Sequence, residues 1–223
     1  MMTFEELSEF NLKTQTIDGK RHYVTPEGNK YPSVTSVTGL LSRKQIKAWK
    51  KRVGEKKANE ISSRAARRGT SFHTLCEKYL RKEEFEFDNP LQQANFKSIV
   101  PLLDKIEPLA IESAMYSDKY RIAGRCDCVG YFRGELAIID FKTSNKQKTH
   151  KYIEGYLIQE TAYAQCVYEM TGEMPKIIVT IVSVDEDSSS QLFVDQPEHW
   201  VPKLVDVRTQ YYNLYEKNNE KVS

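Results

Sequence analysis

The chain has 223 residues, 39% hydrophobic and 29% charged, with a net charge of +2 at pH 7. That composition suits one domain with its own core and excludes wholesale disorder. The longest largely apolar runs, Leu136 to Ile139 and Ile177 to Val184, are too short to span a bilayer, and so small a net charge does not by itself point to nucleic acid.

The opening, MMTFEELSEF, is acidic, with neither a basic leader nor an apolar run, so no secretory signal or mitochondrial transit peptide is expected. Residues 16–38 read as a hairpin, with RHYVT and KYPSVTSV as strands and PEGN as turn chemistry. Ser42-x-x-Gln45 reads as a capping box opening a helix. Ile46, Trp49, Val53, Ala58, Ile61 and Ala65 give it a loose apolar stripe, and Lys47, Lys50, Lys51, Arg52, Lys56, Lys57 and Arg64 lie on the other face. From Arg43 to Arg68 there are eleven Lys or Arg against two Glu, a basic block in a nearly neutral chain. Gly69 interrupts the pattern, and Thr70 is placed to cap a second helix running to about residue 82. Residues 83–90 read as a linker or lid, and 91–107 as a helix bent at Pro101.

A β-rich centre follows. Strands are expected over 109–116, 120–132 and 135–143, joined by tight turns at SDK and RGE. Residues 152–170 read as a helix stopped by Gly172, 176–184 and 191–194 as strands around DEDSSS, and 197 to about 217 as a closing helix. This order predicts a mixed α/β domain built on one small sheet. The whole span 1–223 is read as one domain, with 1–68 as an N-terminal hairpin and basic-helix extension. Cys76, Cys126, Cys128 and Cys166 are scattered. Cys126 and Cys128 would point the same way from a strand, but no second close pair completes a zinc or iron–sulfur set.

The chemistry concentrates in AGRCDCVGYFRGELAIIDFKTS, residues 123–144. Asp140 and Lys142 share a parity on one strand, and a short turn lets register set Asp127 beside Asp140. Two carboxylates can hold a Mg²⁺ that polarises a phosphodiester, and Lys142 can orient water or stabilise charge on the phosphate oxygens. The plain alternative is a cross-strand ion pair worth a few tenths of a kcal/mol. Upstream, His73 and Glu77 sit four apart on one helical face, a further ligand and a carboxylate able to anchor its ring. Downstream, Gln159 and Tyr163 share a helical face as well.

Taken in order, Gly69-Thr70-x-x-His73-x-x-x-Glu77, Gly124-x-x-Asp127, Asp140-x-Lys142-Thr143 and Gln159-x-x-x-Tyr163 resemble the RecB-type branch of the PD-(D/E)xK nuclease superfamily. The front half, from about residue 31, resembles the group of mitochondrial genome maintenance exonucleases and their phage-encoded relatives. The resemblance implies a restriction-endonuclease-like core: an antiparallel meander plus further strands in a small mixed sheet, flanked by helices. It also implies a DNA nuclease using Mg²⁺ or Mn²⁺ and leaving 5′-phosphates. Asp127, Asp140, His73 and the Phe141 carbonyl would be metal ligands, and Lys142, with Asp127 and Asp140, catalytic. Glu77, Gln159 and Tyr163 would support them. Cys126 stands where the superfamily's proline precedes the first aspartate, and no iron–sulfur cluster is expected.

Lys50, Lys51, Arg52, Arg64, Arg67 and Arg68 are then candidates to grip phosphates on the way to the metal, with Thr143 and Ser144 beside the site. Trp49, Phe72 and Tyr31 are candidates to stack on bases. The expected activity is an exonuclease on single-stranded DNA ends, serving repair or recombination in the cytoplasm of a bacterial or phage-infected cell. Two alternatives stay open: a structure-specific or double-strand endonuclease, and an inactive DNA-binding scaffold.

Overall fold

The structure, a computed structural model, describes residues 1–217. Helix α1 (Phe4–Glu9) opens on a capping box: the Glu6 N–H donates to the Thr3 hydroxyl and the Thr3 N–H to the Glu6 carboxylate. Strands β1 (Lys13–Ile17), β2 (Lys20–Val24) and β3 (Lys30–Pro32) form an antiparallel sheet in that order. Four helices follow: α2 (Val34–Thr38), α3 (Leu40–Val53), α4 (Glu55–Leu80) and α5 (Pro90–Leu103).

The main sheet contains β4 (Ile106–Ser117), β5 (Ile122–Phe132), β6 (Glu135–Ser144), β7 (Ile177–Val184) and β8 (Ser189–Asp195), in chain order. Every pairing is antiparallel except β6 with β7, which run parallel with α6 (His150–Thr171) as the crossover. Helix α7 (Pro197–Tyr215) closes the described chain. The architecture is mixed α/β, as expected, and compatible with a restriction-endonuclease-like core.

The sheet buries both faces. On one side Ile122, Ile138 and Val182 pack with Leu157 and Ala164 of α6 and Leu204 of α7. On the other, Ile139, Phe141 and Ile181 pack with Phe72 and Leu75 of α4 and Phe96 and Ile99 of α5. Strands covered on both faces read as near-continuous apolar runs, which is why ELAIIDF carries no alternation. The RGE turn is a two-residue loop with Arg133 and Gly134 both at positive φ, the hairpin geometry that matches strand twist. Gly172 stops α6 in the left-handed region at φ 83°.

Several expectations are corrected. The N-terminal hairpin is a three-stranded sheet. SVTSV is not strand: Ser33 accepts the Ser36 N–H and starts α2. The helix expected from Ser42 begins at Leu40, so Ser42 is not its cap; its hydroxyl donates back to the Gly39 carbonyl at 3.4 Å. The break falls at Gly54, not Gly69. Gly54 takes φ 85°, where a side chain is strained, whereas Gly69 stays helical at the modest cost glycine brings. Thr70 is therefore inside α4. Most of the expected apolar stripe is not a core face: Ile46 and Ile61 are exposed and α3 has no buried residue, and of the stripe Ala58 alone is buried. Pro101 sits near the C-terminal end of α5, which stops at Leu103, not residue 107.

Cys126 and Cys128 do not point the same way. Ile122 and Cys126 face the α6 side, but Cys128 joins the α4–α5 side and Val129 returns to α6. Alternation therefore slips by one residue at Asp127. It slips in β4 as well: Ala110 and Met115 both face α6, with Glu112 between them at φ 51°. This paired irregularity turns two carboxyl side chains out of the regular pleat.

Candidate active site

Ile111 pairs with Cys128 and Ser113 with Cys126, so Glu112 and Asp127 stand opposite each other at that double irregularity. The β5–β6 ladder runs from Phe132↔Glu135 only as far as Cys128↔Ile139. The next pair would be Asp127 with Asp140, and there the two strands part. Into the fork Asp127 places its carboxylate, whose Oδ2 accepts the Phe141 N–H at 2.8 Å. The same oxygen lies 3.3 Å from Nδ1 of His73, carried by α4 across the sheet.

Asp140 is buried to 1% exposure. Its Oδ1 accepts a hydrogen bond from Nε2 of Gln159 on α6 at 3.0 Å, and its Oδ2 forms an ion pair with Nζ of Lys142. Tyr156, Gln159 and Tyr163 form one helical face (i, i+3, i+7) of α6 turned toward this strand. The Tyr156 ring centroid lies 5.2 Å from the Lys142 ammonium. Tyr163 lies so close to Gly124 that a Cβ there would come 2.7 Å from its ring, which explains the glycine of the G-x-x-D motif. One residue beyond Gln159, Glu160 is fully buried and accepts the Thr180 hydroxyl, tying α6 to β7.

The charges are unequal in kind. Burial works to raise the Asp127 carboxyl, but the hydrogen bond and charge of His73, with Lys142 and the Phe141 N–H, hold it below the ordinary carboxylate range. Burial works to lower the His73 imidazole, yet Asp127 raises it above its usual value. Asp140 is pushed up to about 6 by burial, only partly offset by Lys142. Lys142 stays charged: burial opposes this, but Asp140 and Asp127 raise it above the ordinary range.

The sequence reading missed Glu112. Its carboxyl is pushed up to about 7, first by burial and then by Asp127. One ligand atom each from His73, Glu112 and Asp127 lies within 4.8 Å of the others. The available signal was one carboxylate in the otherwise uncharged LAIESAMYS, at the position that register sets against Asp127. Tyr156 was missed too, although its spacing from Gln159 and Tyr163 marked it.

These groups fit a divalent cation. The donors are hard oxygens and one imidazole. Asp140 Oδ2 is buried without a hydrogen bond and meets only the lysine, and a cation would complete its coordination. Glu77, expected to anchor the His73 ring, instead pairs with Arg81 at 3.1 Å.

The remaining candidates divide. Lys50 reaches Asn59 at 3.3 Å, while Lys51, Arg52, Arg64 and Arg67 extend into solvent along α3 and α4. Arg68 is held by Asp185 and Asn145, and its Nε donates to Thr143 Oγ1 at 3.3 Å. The Ser144 hydroxyl donates to the Lys146 carbonyl at 2.5 Å, inside the chain's own turn. Phe72 and Tyr31 are not stacking platforms: both rings are buried in the core, and the Tyr31 hydroxyl donates to Asp118 at 2.6 Å. Trp49 is half-buried. All four cysteines are free and buried. Among the described residues no helix is long and apolar enough to cross a membrane.

No family model matches this sequence. The chain is 32% identical over 132 residues to human "Mitochondrial genome maintenance exonuclease 1", an alignment covering 54% of this chain and 38% of that protein. The Xenopus tropicalis protein of the same name is 29% identical over 137 residues, covering 53% and 38%. Similarity to proteins named as exonucleases thus extends over about half of this chain, which spans little more than a third of their length. A solved structure of SSO0001 aligns over 81% of this chain and 75% of its own at a TM-score of 0.43 and 14% identity, too distant to bear on function.

Proposed function

We propose that this chain is a divalent-metal-dependent DNA nuclease that works as an exonuclease on single-stranded ends. The observation that carries the reading is the convergence of His73, Glu112, Asp127 and Asp140 with Lys142 where β5 and β6 part. Similarity to proteins named as exonucleases supports the same class of chemistry.

Asp127, Asp140, His73 and the Phe141 carbonyl would hold Mg²⁺ or Mn²⁺, with Glu112 a further carboxylate within reach. When bound, such an ion neutralises phosphate charge and lowers the pKa of water. Asp127 is ionised, and Asp140, raised only to about 6 and paired with Lys142, is mostly ionised at neutral pH too, so both carboxylates would be ready to accept a cation. Gln159 holds one oxygen of Asp140, leaving the other to face the site. Lys142 keeps its proton and directs it at the phosphate oxygens where negative charge builds. Lys50, Lys51, Arg52, Arg64 and Arg67 would hold the strand by its phosphates, and Arg68 would fix Thr143 and the strand end carrying Ser144.

A linear labelled single strand incubated beside a closed single-stranded circle with Mg²⁺ tests this reading. Degradation of the linear strand alone is expected. Cleavage of the circle would instead mark an endonuclease, and inertness toward both would mark a binding scaffold.

A further inference from the structure

Four grooves abut in series on the N-terminal side, and the series ends at the strand that carries Lys142. The first, about 520 Å³, lies among the β1–β2 turn, α2 and the start of α3 and includes Lys20, Arg21 and Arg43. The second, about 670 Å³, shares Gly39 and Arg43 with it and follows α3 through Lys47, Lys50 and Lys51 to Glu55. The third, about 400 Å³, begins at Lys56 and follows α4 to Arg67. The fourth, about 250 Å³, shares Arg67 and reaches Thr143, the neighbour of Lys142. Spacings of three and four along each helix keep each groove on one helical face.

The first two grooves are the most one-sided in charge. Six cations line them, Lys20, Arg21, Arg43, Lys47, Lys50 and Lys51, against one carboxylate, Glu55. Two cations with a structural task elsewhere carry a carboxylate partner: Arg68 has Asp185 and Arg208 has Glu216. None of the six makes an ion pair among the described residues. Two of them are nevertheless fixed in place. Nζ of Lys20 lies 3.8 Å from the ring centroid of Tyr215, and Arg43 donates to the Tyr215 hydroxyl at 2.5 Å. One aromatic side chain therefore gathers two like charges, neither of which is paired with a carboxylate among the described residues.

We propose that Lys20 and Arg43, organised on Tyr215, form with Arg21 in the same groove a distal phosphate anchor for the nucleic-acid strand, whose path follows α3 and α4 to Lys142. The proposal rests on the nuclease reading of the site and adds to it a contact surface on the N-terminal sheet. A concave, elongated, cationic path fits a phosphate backbone. A lipid surface would ask for apolar side chains to insert, and these two grooves offer one exposed large apolar side chain, Ile46.

The test measures the affinity of the Asp140→Asn protein for a long single strand across a KCl series without divalent ions. Adding Lys20→Gln, Arg21→Gln and Arg43→Gln together should make the log–log salt slope shallower by about 2, and weaken binding at ~0.1 M salt on the order of 100-fold. Should the triple variant fail to fold, Arg21→Gln alone, at an exposed position, should still cost about 0.7 of slope. The charge-conserving pair Lys20→Arg, Arg43→Lys should keep the slope. An unchanged slope in the triple variant overturns the anchor, as does an equal loss in the charge-conserving pair. Tighter binding to phosphatidylserine vesicles than to DNA, abolished by the triple variant, would assign the surface to lipid and overturn it too. The two readings fail separately. Wild type that cannot cut DNA but shows the slope change keeps the anchor and loses the nuclease. Wild type that cuts while the slope stays unmoved does the reverse.

Discussion

Oδ2 of Asp127 meets both Nδ1 of His73, at 3.3 Å, and the backbone N–H of Phe141, at 2.8 Å. One carboxylate thereby joins α4, β5 and β6, and it does so where the β5–β6 ladder stops. The site is a consequence of that fork: a continued ladder would have spent the Phe141 N–H on β5 backbone.

His73 is accordingly expected to serve the metal more than the fold. It is partly exposed, so His73→Ala should shift the melting temperature little while lowering Mn²⁺ affinity by at least about 10- to 100-fold, the range for losing even an outer partner. Calorimetric titration with Mn²⁺ reads this directly. Unchanged affinity would remove His73 from the ligand set.

Glu112 holds φ 51°, a conformation that costs an ordinary residue about 1 kcal/mol or more. Glycine adopts it without strain. Glu112→Gly should therefore be more stable than Glu112→Ala by roughly 1 kcal/mol, while both lose Mn²⁺ affinity. Chemical denaturation of the two variants gives the comparison. Equal stability would mean that the strain is not stored there.

The carboxyls also set a pH dependence for metal-free protein. Folding raises Glu112 from 4.5 to about 7, so its contribution is complete below about pH 4.5 and is lost as pH climbs through 7. Asp140, raised to about 6, has the same sign. Asp127, lowered, has the opposite one and adds stability above the ordinary carboxylate range. In EDTA, stability should fall between about pH 4.5 and 7, and Glu112→Gln should flatten that fall. Urea unfolding across that window checks it. A fall equally steep in the Gln variant would contradict the burial assigned to Glu112.

Two glycines distinguish the observed helix break from the expected one. Gly69 is helical, and a Cβ added there would meet nothing within 4 Å, so Gly69→Ala should stabilise by about 1 kcal/mol. Gly54 turns the chain at φ 85°, ψ 145°, a conformation close to glycine's own extended region, so Gly54→Ala should destabilise by about 1–3 kcal/mol. Thermal melts of both would show the contrast, and the reverse order would return the break to Gly69.

Much of this was legible in the sequence because local chemistry wrote it. The Arg133-Gly134 turn, the Gly172 stop and the apolar run of β6 each follow from residue types alone. The partnership of Asp140 with Gln159 was anticipated only as a shared neighbourhood, since a helix face says which side chains travel together but not what they meet. Glu112 was not legible, because its role depends on a paired slip in two strands and on a register known only once they are laid together. The break at Gly54 was missed because both glycines interrupt the same basic pattern. Only backbone geometry separates one that must turn from one that can stay helical. Arg68 looked like any other cation of the basic block until Asp185, over a hundred residues on, came to rest beside it.

The ion pair between Lys142 and Asp140 is the centre of the proposed chemistry, and one comparison tests it most directly. Purified wild type and Asp140→Asn are given the same end-labelled linear single strand with Mg²⁺. Wild type should degrade it, EDTA should stop the reaction, and Asp140→Asn should be slower by about 10²- to 10³-fold, as expected when a group acting on the transition state is lost. Equal degradation by the two proteins would show that the fork of β5 and β6 is not where DNA is cut.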